Sequence, residues 1–238
     1  MNAWTNNRDA ENTNLDKHSG PEQYRQVKTD RPQDAASMKL FNQFVNGRRC
    51  LQILLIVSFI AFSWLAFMVV HEFGHALTAW LTGGSVALMV LHPQQISWTT
   101  FSSNPHPQLT AWGGALGGSV FPVVFLLIAR RLHSPGLYLF RFFAGFCLIA
   151  NGLYLFVDSF GRGGDGHTLI QYGASQWELL LFGIVATPLG FWLWHGLGPH
   201  FGLGAARGRV NGSAVVISVS LLAATVAIEL LLYPFPKQ

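Results

Sequence analysis

The sequence predicts an all-α polytopic membrane protein with about five transmembrane helices. Three observations carry this. Only 11% of the 238 residues are charged and 50% are hydrophobic, against about 25% charged in an ordinary soluble domain. The charge is segregated: fourteen Asp, Glu, Lys and Arg residues fall in 1–49, and from Cys50 to Ala129 Glu72 stands alone. The remainder, with a mean hydropathy of +0.34 for the whole chain, divides into apolar runs of the roughly 20 residues a bilayer requires. A stretch of eighty residues with one charge cannot present a wet surface. This excludes a soluble enzyme, a nucleic-acid binder and a disulfide-stapled secreted domain. The pI near 9.3 comes mostly from the tail, where basic residues beside an apolar run are a topology signal.

Residues 1–49 are polar, rich in Asn, Asp and Gln, and aperiodic, so a mostly disordered tail is expected there. No apolar segment in the first thirty residues suggests a cleavable signal peptide. The first span is expected at about Leu51 to Leu81, the second at Leu109 to Ala129, closed by Arg130 and Arg131. The third runs from about Leu137 to Val157. The fourth, from about Trp177 to Leu197, is kinked at Pro188; the fifth, from about Ala214 to Tyr233, is ended by Pro234 and Pro236. Trp98, Trp112, Trp177 and Trp194 lie near span ends, where interfacial aromatics belong. The domain division is thus a tail (1–49), a membrane core (50–175) and C-terminal helices (176–238). Between the first two spans, Gly83 to Pro107 is an uncharged connection with a β-prone start. It reads equally as a re-entrant β-hairpin offering a strand edge and as a plain loop. Asp158 to Ser175 is a Gly-rich connection. Eight Lys or Arg in the tail, with Arg130, Arg131, Arg141, Arg207 and Arg209, face Arg162 and Lys237 across the bilayer, which favours a cytoplasmic N-terminus.

The first apolar run ends in His71-Glu72-Phe73-Gly74-His75. In this H-E-x-x-H, positions i and i+4 share one helical face, so both imidazoles can bind one zinc ion. Glu72 then sits beside the metal, placed to take a proton from a water the ion has made acidic. Chance occurrence is roughly one per cent or less in a chain of this length. A Glu between two His inside a membrane-length run is also costly to insert, which marks function rather than an accidental polar patch.

Zinc needs a third protein ligand. Asp158 and Asp165 are the aspartates beyond the tail. The motif closes helix one, helix two returns, and helix three crosses again, so the Asp158–His167 connection emerges on the motif's side. His133 lies on the other side; His92, His106, His195 and His200 lie elsewhere. Asp165, flanked by Gly164 and Gly166, allows close backbone approach to a metal and is favoured. Asp158 is the alternative, with a helix-cap role as its ordinary reading. His167 reads as a neighbour of the site rather than a ligand.

In these features the chain resembles the site-2 protease family, the M50-type intramembrane zinc metalloproteases. The motif His71 to His75 closes the first core helix, Trp112-Gly113-Gly114-Ala115-Leu116-Gly117-Gly118 opens the second, and Gly164-Asp165-Gly166 follows the third. The resemblance spans about Leu51 to Ile170. It implies a three-helix zinc-binding core, His71, His75 and Asp165 on Zn2+, Glu72 as general base, and cleavage of transmembrane segments of other proteins. It also implies a site near the cytosolic face, opposite to the orientation that charge favours. The family's Asn- and Pro-containing run before its Asp-Gly motif is missing: no Pro lies between Asn151 and Asp165, so no family role is carried to Asn151. The resemblance suggests a bacterial inner membrane.

The expected function is therefore an intramembrane zinc metalloendopeptidase. Its partners are the lipid bilayer and a membrane-protein substrate with an unwindable segment, and no nucleic acid. A non-catalytic scaffold and a metal transporter are the competing readings. Overlapping G-x-x-x-G pairs, Gly113/Gly117 and Gly114/Gly118, suit packing against the motif helix or generic helix packing. Glu229, near the end of the fifth span, reads first as an interfacial carboxylate.

Overall fold

The computed structural model describes residues 32–161 and 163–232. Chain contacts divide it into two units, Met1–Asn46 and Gly47–Gln238; of the first, residues 32–46 are described. Arg162, Tyr233, Pro234, Pro236 and Lys237, and residues 1–31 of the tail, lie outside the described residues.

Helix α1 runs from Pro32 to Leu81, so residues 32–49 depart from the disordered tail expected of them. Pro32 stands at a helix start, which suits its fixed φ. A span already in place also removes the nucleation cost that keeps a polar segment unfolded alone. The hairpin follows, β1 (Ser85–Val90) antiparallel to β2 (Trp98–Ser103), with Met89 opposite Thr99 and Val90 opposite Trp98. Then come α2 (Pro107–Arg131), α3 (Leu137–Asp158), the short α4 (Gly164–Gln171), α5 (Gln176–Trp194), two 3-10 turns, and α6 (Gly212–Leu232).

Among the described residues, five helices are long and apolar enough to cross a membrane: Asn46–Leu81, Pro107–Arg131, Leu137–Asp158, Gln176–Trp194 and Gly212–Leu232. Leu54, Val57, Ile60, Val216, Ile217 and Leu231 are exposed on them, as a lipid-facing surface requires. The chain is an integral membrane protein. Helix α5 continues through Pro188 but stops at Trp194, short of the expected Leu197, because Gly196 turns left-handed (φ 77). The Gly-rich connection expected after α3 contains a helix, α4, whose N-terminal amides are held by side chains of α3.

Local signals fix the elements that position the site. α1 ends in a Schellman motif: Gly84 N–H donates to Ala79 O (2.7 Å), Gly83 N–H to Trp80 O (3.3 Å), and Gly83 has φ 81. That turn sends the chain directly into β1. α2 begins at Pro107, a residue pre-set for a first helical turn. Three apolar clusters tie the spans together. Leu55 and Phe59 pack with Leu139, Phe201 and Ala214; Ala111 and Ala115 with Leu155, Leu169 and Leu179; Phe67 and Met68 with Cys147. Cys50 and Cys147 are free thiols. Glu229, expected near an interface, is buried at 3% exposure.

Candidate metal centre

His71 and His75 lie one turn apart on α1, following Leu51 by 20 residues in the case of His71, or about 30 Å of helix. Both side chains are buried. Each ring is oriented through its inner nitrogen. His71 Nδ1–H donates to Asn151 Oδ1 on α3 (2.8 Å), and Asn151 Nδ2 donates to Cys147 O (3.0 Å), which fixes the amide's orientation. His75 Nδ1–H donates to the Thr110 carbonyl at the start of α2 (2.8 Å). Oxygen partners at Nδ1 set the tautomer and leave both Nε2 lone pairs free to bind a cation.

Those two Nε2 atoms are 3.1 Å apart, and Asp165 Oδ2 from α4 lies 3.0 Å from His71 Nε2 and 3.3 Å from His75 Nε2. With each Nδ1–H already donated to an oxygen, three lone-pair atoms meet at one point. They need a shared cation, either a second ring proton or a metal. Bonds of ~2.0–2.1 Å in a tetrahedral site put ligand atoms about 3.3 Å apart, close to the spacings found. His71, His75 and Asp165 therefore could hold a metal ion.

Glu72 is 5% exposed, and its Oε2 accepts a hydrogen bond from Thr99 Oγ1 on β2 (2.7 Å). The hairpin thus reaches the carboxylate beside the histidines. Asp165 is placed from α3: its N–H donates to the Tyr154 hydroxyl (2.9 Å), and Gly166 N–H donates to Asp158 Oδ2 (2.6 Å). Asp158, the alternative ligand, is instead a cap reaching α4 across the chain. His167 is exposed on α4; His106, His133, His195 and His200 are exposed elsewhere, and the buried His92 accepts at Nδ1 from Gln94 N–H. A cavity of about 810 Å³ adjoins the site, walled by Trp64, Met68, Ile96, Phe101, Leu153 and Thr168 among others.

The α2 glycines are the seam against α1. A Cβ on Gly113 would strike Thr78; one on Gly74 would strike the Gly113 carbonyl; one on Gly117 would come within 2.8 Å of Gly74 Cα. A Cβ on Gly114 would occupy the space at Nε2 of both histidines. Thr110, Thr99 and Tyr154 are not singled out by the sequence, and Asn151 is named there without a role. An amide inside an apolar span was the available signal for Asn151; a carbonyl or a hairpin threonine carries none.

A sequence model of the peptidase M50B-like family matches residues 40–162. The chain belongs to that family. The matched region of this M50B-like protein contains His71, Glu72, His75 and Asn151 and stops just before Asp165, which the fold returns to the same point. No curated protein and no solved structure matches the chain. The family match supports a membrane metalloprotease at the level of the family.

Proposed function

We propose that this M50B-like protein is an intramembrane zinc metalloendopeptidase that hydrolyses peptide bonds in or near transmembrane segments of membrane proteins. The observation that carries this is the convergence of His71, His75 and Asp165 beside the buried Glu72 at the wall of one large cavity. His71 Nε2, His75 Nε2 and Asp165 would hold the zinc. When bound, that ion supplies Lewis-acid polarisation of a carbonyl and a lowered pKa for water.

The chain's own residues do the rest. A helical substrate has no free backbone groups, so it must unwind before attack. The β1–β2 hairpin can take the unwound strand by edge pairing. Thr99 holds Glu72 Oε2 and leaves the second oxygen to accept a proton from water and return it to the leaving amine. The family resemblance suggests a bacterial inner membrane as the setting.

The test is zinc per chain in detergent-purified protein, with Asp165→Ala, Asp158→Ala and Glu72→Gln, alongside cleavage of a transmembrane substrate. About one zinc in the wild type, lost in Asp165→Ala and retained in the other two, with cleavage abolished in Glu72→Gln, supports the enzyme. A well-folded, zinc-supplemented wild type without zinc would overturn it. Zinc binding with no change in function on Glu72→Gln would make the protein a scaffold.

A further inference from the structure

We propose that Tyr154 is a further catalytic residue, its phenol O–H donating a hydrogen bond to the substrate carbonyl oxygen as that oxygen becomes negative. This rests on the assignment of His71, His75, Asp165 and Glu72 made above.

Tyr154 lies on α3 three residues after Asn151, and its ring meets His71 edge-on at 5.8 Å and 77°. Its hydroxyl oxygen accepts the Asp165 N–H at 2.9 Å. A phenol has one proton. With a lone pair engaged by the Asp165 amide, that proton points elsewhere, and no hydrogen bond from it is formed among the described residues. The side chain is 36% exposed and lines the cavity. Three threonine hydroxyls on the same wall are committed within the protein: Thr99 to Glu72, Thr110 to Asn104 Oδ1 and Thr168 to the Gly164 carbonyl. Tyr154 keeps its donor for a ligand.

The seating is built. Gly164 has φ 67, and a Cβ there would strike the Tyr154 hydroxyl. The Asp165 segment therefore lies against this oxygen only because residue 164 has no side chain. The same amide that orients the hydroxyl belongs to a residue proposed to hold the metal, so donor and ligand are fixed to one another. A donor aimed at the carbonyl oxygen strengthens as negative charge develops and adds little to binding of the uncharged substrate.

The test is Tyr154→Phe, which keeps the ring against His71. Cleavage is expected to fall about 100-fold in kcat, with KM unchanged. Zinc affinity by chelator competition falls only about 2- to 10-fold, the loss of one acceptor for the Asp165 N–H, so that kcat at saturating zinc falls far more than zinc binding does. Affinity for a peptide phosphonate, which mimics the charged tetrahedral state, falls in step with kcat. Binding of uncleaved substrate peptide, compared in Glu72→Gln and Glu72→Gln/Tyr154→Phe, does not change. A parallel loss of zinc and activity would reduce Tyr154 to an anchor for Asp165 and overturn the proposal. So would wild-type kcat and phosphonate affinity. Absence of zinc from the wild type, or unimpaired cleavage by Glu72→Gln alone, would overturn the underlying site assignment as well. Melting of the variant at the wild-type temperature in detergent guards the comparison against misfolding.

Discussion

The carboxamide oxygen of Asn151 stands 2.8 Å from Nδ1 of His71, while its nitrogen is tied to the Cys147 carbonyl 3.0 Å away. α3 therefore dictates which imidazole nitrogen of α1 stays unprotonated. Asn151→Leu is expected to weaken zinc binding 10- to 100-fold, the usual effect of losing such a partner. Asn151→Asp keeps the acceptor and is expected to bind more tightly than Asn151→Leu. A competition titration against a chromophoric chelator measures both.

Gly114→Ala is expected to abolish zinc binding while leaving the spans formed. The added methyl would occupy the space at both Nε2 atoms, and overpacking costs roughly 1–3 kcal/mol. Zinc content together with far-ultraviolet circular dichroism checks this. Retained zinc at full occupancy would refute the tight seam at this position.

Thr99→Val removes the hydrogen bond to Glu72 Oε2. A hydrogen bond to a charged group is worth about 1.5–3 kcal/mol, so kcat is expected to fall at least about tenfold. Zinc content should be unchanged, and Thr99→Ser should restore most of the rate. Steady-state kinetics on a transmembrane substrate separates this from a loss of binding, which would raise KM instead.

Asp158→Ala is expected to loosen α4, since Gly166 N–H loses its partner. Caps of this kind are worth about 1 kcal/mol. Amide hydrogen exchange should quicken across 164–171 and zinc should bind more weakly without being lost. Complete loss of zinc would return Asp158 to the role of ligand.

The spans were legible because an uncharged run of membrane length has few other uses, and H-E-x-x-H because its spacing matches the helical repeat. The side on which Asp165 emerges followed from counting crossings. Helix α4 was not legible: its eight residues begin among glycines, and its cap comes from Asp158 and Tyr154 on another helix. The same holds for Asn151 and Thr110, whose partners lie 80 and 35 residues away in sequence. Orientation through Nδ1 is a property of the assembled helices. The extension of α1 back to Pro32 was missed because polar composition argues against a helix only when the segment must nucleate alone.

The glycine seam between α1 and α2 has a consequence for traffic. Backbone lies against backbone where Gly74 meets Gly113 and Gly117, and neither lipid tail nor peptide can slip between chains already in van der Waals contact. Between these residues the seam is closed. The cavity beside the histidines, around Ile96 and Phe101 of the hairpin and Leu153 of α3, is instead bounded by side chains, which can rotate aside. On the proposed function, a peptide would reach the histidines past these movable side chains and not through the glycine seam, with Thr99 and Tyr154 lining the same cavity.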